Sequence, residues 1–247
     1  MRQALAGMML LLGLTGPARA DQGTNTCVTC HQREVLPISL GHSFDDWRGS
    51  AHGRGGVGCE KCHGGDPSAS DAAAAHKGVL PAAEADSLVN PRHLAATCGG
   101  CHERERDVYV DTVHAREVKA QGRGATCSTC HGAMATSLPT PNELGARCAA
   151  CHKKPLQAEA ALAVLSTAKS QLRRTQQAVE TTRSTNPTWH AAGLERFHAL
   201  ERQYSSIQVD WHHFKITQVL KQSSDLYKLA KPLAEEARII AQQSPAP

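Results

Sequence analysis

All ten cysteines of this 247-residue chain fall into five Cys-x-x-Cys pairs, and a histidine follows every pair directly. The five sets are Cys27, Cys30 and His31; Cys59, Cys62 and His63; Cys98, Cys101 and His102; Cys127, Cys130 and His131; and Cys148, Cys151 and His152. Histidine makes up 14 of the 247 residues, so five such placements in a row arise by chance on the order of once in a million. Two thiols three positions apart can add to the two vinyl groups on one edge of a haem. The next residue then sets an imidazole beneath the iron, so the pattern predicts five covalently attached c-type haems. Structural zinc takes two such pairs per tetrahedral site and leaves the fifth without a partner. Thioredoxin-like chemistry takes one pair in a βαβ setting, not five in a strand-poor chain.

Composition points the same way. Trp, Tyr and Phe number three each, 4% of the chain, which is little large apolar surface for an ordinary core. Porphyrins are expected to fill the interior instead. Secreted disulfide scaffolds are also cysteine-dense, but they occur in much shorter chains. Residues 1–20 read as a cleaved export signal: Arg2, an apolar stretch from Ala4 to Leu14, then Ala18, Arg19 and Ala20 as a small-x-small site. No later segment is apolar enough to span a bilayer. Losing Arg2 and Arg19 takes the formal charge from +4 to +2, too small to argue for nucleic acid. A periplasmic location is expected.

Each iron needs a sixth ligand or a vacancy, and that choice separates electron carrier from catalyst. Of four methionines, three lie in the signal, and Met134 stands only three residues past His131. Residues 21–152 hold five further histidines, His42, His52, His76, His93 and His114, which matches five haems. Trp47, Ser50 and His52 precede the second motif as Tyr109, Thr112 and His114 precede the fourth, with the aromatic five and the hydroxyl two residues before the histidine. This internal duplication makes His52 and His114 the best sixth ligands. His93 follows, serving a neighbouring haem, and His42 is next. His76 ranks last, in the Ala-rich stretch 72–75. Six-coordinate bis-His iron has no open position, which favours electron carriage over catalysis.

Past Pro155 the character changes. Leu162, Leu165, Leu172 and Val179 recur at helical spacing, Asn186-Pro187 marks a restart, and a second stripe runs Leu194, Phe197, Leu200, Tyr204, Ile207, Trp211, Phe214. Pro232 is expected to kink or end the last segment. The fold class expected is mainly α with extensive irregular loops: a haem-stacked cytochrome domain over 21–155, then a long-helix hairpin or small bundle over 156–247. His190, His198, His212 and His213 in that tail read mostly as surface or packing residues, one of them able to replace His76 if the bundle folds back over the haems.

On these motifs the chain resembles the multihaem c-type cytochromes, its paired units being similar to doubled-CxxCH and class III-like cytochromes of bacterial periplasms. The tail resembles that of the multihaem nitrite reductase and hydroxylamine oxidoreductase group, where such helices pack near subunit contacts. That likeness implies single-electron transfer between a membrane quinol oxidase and a terminal reductase or outer-membrane conduit, with a possible homo-oligomer through the tail. The rival expectation is an oxidoreductase reducing a small nitrogen or sulfur oxyanion at one five-coordinate haem. Pentahaem nitrite reductases carry a proximal lysine at the catalytic haem, whereas all five motifs here end in histidine. A third expectation is a haem-bearing subunit whose tail docks a larger complex.

Overall fold

A computed structural model describes residues 25–32, 43–153 and 155–243. The proposed signal and His42 lie outside the described residues. Among these residues the secondary structure is helical, with no strand.

Ten short helices occupy the first part. α1 (Thr26–His31), α2 (Phe44–Gly49), α3 (Ala51–Arg54), α4 (Glu60–His63) and α5 (Ala72–Ala75) cover the first two motifs. α6 (Leu94–Gly99), α7 (Glu103–Tyr109), α8 (Val113–Gln121), α9 (Cys127–His131) and α10 (Pro141–Ala149) cover the other three. Hydroxyl and carboxyl side chains start many of them: Ser43 and Thr140 form capping boxes with Asp46 and Glu143, and Asp71 caps the Ala run of α5. Val28, Trp47, Val118 and Leu144 are the buried apolar side chains of described residues 25–153. Four side chains are little apolar core for a region of that length.

The tail is a three-helix bundle of α11 (Leu156–Thr181), α12 (Pro187–His212) and α13 (Ile216–Gln243). Asn186 caps Trp189 N–H and Pro187 takes the first helical position, the restart read from the sequence. Both apolar stripes face inward: Leu165, Leu172, Val179, Phe197, Leu200 and Ile207 are buried against Val219, Leu226, Leu233 and the fully buried Ala230, Ala234 and Ala237. Two expectations are corrected. Of the two outcomes expected of Pro232, ending the segment is overturned, because α13 runs through it to Gln243. α13 packs chiefly on α11, where the Thr175 hydroxyl donates to Ala230 O at 3.0 Å and Ala230, Ala234 and Ala237 are fully buried, while Pro232 itself lies on the exposed side, so tight packing against α11 holds the helix together past the missing N–H. Phe214 does not join the second stripe, because α12 stops at His212 and Phe214 lies beyond it in a left-handed conformation (φ 58°). The bundle also touches the motif region, where Arg104 of α7 donates to Ser205 Oγ of α12 at 2.7 Å. No helix among the described residues is long and apolar enough to cross a membrane.

Candidate functional site

The duplication read from the sequence has a physical basis. Ser50 accepts from Gly53 N–H and so starts α3; Thr112 accepts from Ala115 N–H and starts α8. His52 and His114 are then the second residues of their helices. The aromatic residues act alike: Trp47 Nε1–H donates to Val57 O at 3.1 Å and Tyr109 O–H to Ala125 O at 2.8 Å. Each accepting carbonyl stands two residues ahead of the next motif, so one indole or phenol ties the ligand helix to the motif that follows. Burial pushes the Tyr109 hydroxyl up to about 12, which keeps it a donor.

Four motif histidines face a second imidazole. The ring centres lie 5.9 Å apart for His31 and His76, and 6.0 Å for His52 and His102, His114 and His152, and His131 and His212. A metal–imidazole bond is about 2.0 Å and the ring centre sits roughly 1.1 Å behind the bonded nitrogen, so two imidazoles across one iron have centres about 6.2 Å apart. The four ring pairs therefore have the spacing of two imidazoles across one metal centre. Among the described residues no three His, Cys, Asp or Glu side chains converge as a metal cage would need.

The ring nitrogens are assigned by their other hydrogen bonds. Nδ1–H of His76 donates to Ala72 O at 2.8 Å, that of His131 to Ser137 O at 3.0 Å, and that of His212 to Gln208 O at 2.7 Å. His52 Nδ1 shares a 3.0 Å hydrogen bond with Thr136 Oγ1. In each case Nε2 is left to coordinate, the arrangement that orients a metal-bound imidazole. Burial, and then the facing ring, lowers the pKa of His52 and His114; burial lowers that of His212. Neutral imidazole is the ligating form.

All ten cysteines are free of disulfides. Burial pushes Cys59 up to about 11 and raises Cys62, Cys130 and Cys148, the opposite of what a reactive redox thiol needs. Cys98 and Cys127 act on each other, raising Cys98 and lowering Cys127, which places the third and fourth motifs side by side, as the packing of α6 on α9 also does. The motifs in fact follow one another in space in chain order. Asn25 Nδ2 donates to Glu60 at 3.0 Å, α4 packs on α6, α6 on α9 and α9 on α10.

Over 125 residues the chain is 31% identical to the C-type polyheme cytochrome OmcC of Geobacter sulfurreducens, and over 127 residues 34% identical to OmcB of the same organism. Both relatives are polyhaem c-type cytochromes. Each alignment covers 47% of this chain and 15% of the relative, so the chain matches a small part of their length. No family model matches, and no solved structure matches significantly. The similarity supports a multihaem c-type cytochrome.

The structure brings together most of the sixth-ligand candidates, in partnerships the sequence left open. His52 and His114 each pass over the motif that follows them and face the next but one, another mark of the duplication. His76, ranked last, is the C-cap of α5 and faces His31. His93 is the N-cap of α6, and its ring faces no other imidazole among the described residues. His63 ends α4, half-buried. Of the four tail histidines read mostly as surface or packing residues, His212 is the one whose ring meets a motif histidine. It sits where the second apolar stripe stops, and no motif marks it.

Proposed function

We propose that the chain is a periplasmic pentahaem c-type cytochrome that carries single electrons between respiratory partners. The observation that carries this reading is the set of opposed imidazole pairs near 6.0 Å, each joining a motif histidine to one from elsewhere in the chain. Cys27 with Cys30, Cys59 with Cys62, Cys98 with Cys101, Cys127 with Cys130 and Cys148 with Cys151 tether the porphyrins. His31, His63, His102, His131 and His152 are the proximal ligands. His76, His52 and His114 are the sixth ligands at the first, third and fifth motifs, and His42 and His93 are the further candidates. Haem supplies reversible one-electron chemistry at iron, and the protein orients the ligands, excludes water and sets the potentials.

The motif helices pack in chain order, which supports an electron path from the first motif to the fifth. Domains over 21–155 and 156–247, following a signal over 1–20, belong to the same reading, as does docking with a membrane quinol oxidase or a terminal reductase. The test is haem quantified per polypeptide, with a redox-titrated optical spectrum and EPR of the purified protein. Five haems per chain, all low-spin when ferric, are expected. Colourless protein with ten reactive sulfurs would sink the reading, and a high-spin ferric signal that shifts with nitrite would replace the carrier by the oxyanion reductase.

A further inference from the structure

The turn between α12 and α13 touches two of the imidazole pairs at once. His212 ends α12, and its ring faces His131 across 6.0 Å with the planes within 17° of parallel. Two residues on, Phe214 sets its ring edge-on against His114, centres 4.5 Å apart and planes at 77°. His114 is the imidazole opposed to His152. The Phe214 contact is not explained by core packing. Phe214 holds a left-handed backbone that a bulky residue adopts only where its surroundings impose it, yet its side chain stays 41% exposed. Its own burial is therefore a weak reason for the conformation.

The turn is firmly held. Lys215 N–H donates to Asp210 O at 3.1 Å, and the Asp210 carboxylate accepts from Lys215 Nζ at 2.9 Å and Gln218 Nε2 at 2.8 Å. One turn earlier on α12, Ser205 takes the hydrogen bond from Arg104 that fastens the bundle to α7. With its Nδ1–H committed to Gln208 O, His212 keeps Nε2 for coordination, and its ring lies 6.0 Å from that of His131.

We propose that this turn completes the last two haem sites: His212 is the sixth ligand of the iron held by His131, and Phe214 is a positioning residue that fixes His114 across the iron held by His152. The inference rests on the pentahaem reading above. It makes the helical bundle part of the redox machinery rather than an appendage for docking.

Ring orientation gives the test a specific signal. Near-parallel imidazoles reinforce each other's splitting of the iron d orbitals, so the His131/His212 pair should give a rhombic low-spin EPR signal. The pairs at 64° and 72° should give strongly anisotropic ones. In full-length holoprotein, His212→Ala should turn one haem in five high-spin and remove the rhombic signal, and added imidazole should restore both. His212→Met should keep that haem low-spin and raise its potential, since a thioether favours ferrous iron. Phe214→Gly relieves the backbone strain while deleting the ring. It should leave the melting temperature of the bundle unchanged yet alter one anisotropic signal, and Phe214→Tyr should restore it. Unchanged spectra in His212→Ala or in Phe214→Gly, with five haems loaded, would overturn the corresponding half of the proposal and leave the pentahaem reading standing. A wild-type chain without five haems would overturn both. If His212→Ala fails to mature, His212→Met decides: five haems and no shifted potential would overturn the assignment.

Discussion

Deleting one hydroxyl, by Thr136→Val, should raise the midpoint potential of the haem at the third motif. Thr136 follows the fourth motif, yet its Oγ1 lies 3.0 Å from Nδ1 of His52, the imidazole that faces His102. The segment is fixed in place by Ala51 N–H donating to Thr136 O at 3.0 Å and Ser137 N–H donating to His131 O at 2.9 Å. With Nε2 on iron, Nδ1 carries the proton and donates to the hydroxyl. That bond makes the imidazole a better electron donor and so favours ferric over ferrous iron. A neutral hydrogen bond contributes about 0.5–1.5 kcal/mol net, and only the part that differs between oxidation states moves the potential. For one electron, about 1.4 kcal/mol corresponds to about 59 mV, so complete loss bounds the rise near 60 mV, and roughly 20–30 mV is expected. His52 is half-buried, so water can replace the lost partner, which favours the lower end. Spectroelectrochemical titration followed by EPR reads the individual centres, and Thr136→Ser should keep the wild-type value. A valine variant with an unchanged or lowered potential, or a serine variant that shifts as far as valine, would refute the reasoning.

The duplicated aromatic ties should behave as a pair: Tyr109→Phe should cost about 0.5–1.5 kcal/mol in denaturant unfolding. Trp47→Phe should cost at least as much, because the 6%-exposed indole also fills volume. In the bundle, Leu226→Ala empties a site only 1% exposed and should lower stability by about 2–5 kcal/mol in a thermal melt read by helicity. Ser223→Ala should do the reverse, by about 1 kcal/mol, because the buried Ser223 hydroxyl has no hydrogen-bond partner among the described residues. The Trp189 indole N–H, and then Arg196, hold the Glu236 carboxyl below the usual carboxylate range. A lowered carboxylate stabilises the fold above its unfolded value and loses that contribution as pH falls through the folded one, so the bundle should soften below about pH 4.3. Glu236→Gln should flatten that part of the melting-temperature profile, by less than about 1 kcal/mol after solvent screening.

What could be read from the sequence was what local chemistry encodes. The motif residues are legible because attachment needs its three side chains within five positions, and the bundle because its stripes repeat every three or four residues. His52 and His114 are legible through Ser50 and Thr112, whose hydroxyls cap the helices that carry them. Their partners are not, since nothing local says that each passes over the next motif. His76 was underrated because an Ala run suggests a loop, although Asp71 ahead of it is a cap signal strong enough to start α5. Phe214 keeps the period of the stripe after the helix has ended, so periodicity alone misplaces it. Pro232 costs a helix about 3 kcal/mol or more in isolation, but α13 continues through it because the opposite, alanine-rich face is fully buried against α11. His212 shows the same limit most clearly: its partner His131 lies 81 positions away, and only tertiary packing of the bundle against the motif region brings the rings together. Composition divides the chain near Pro155. Ligation does not respect that division, because a motif region burying four apolar side chains depends on the bundle for surface and, on the reading proposed here, for a ligand. Stability and redox behaviour should therefore be coupled across it, and a core change such as Leu226→Ala should disturb the fourth haem before it disturbs the first.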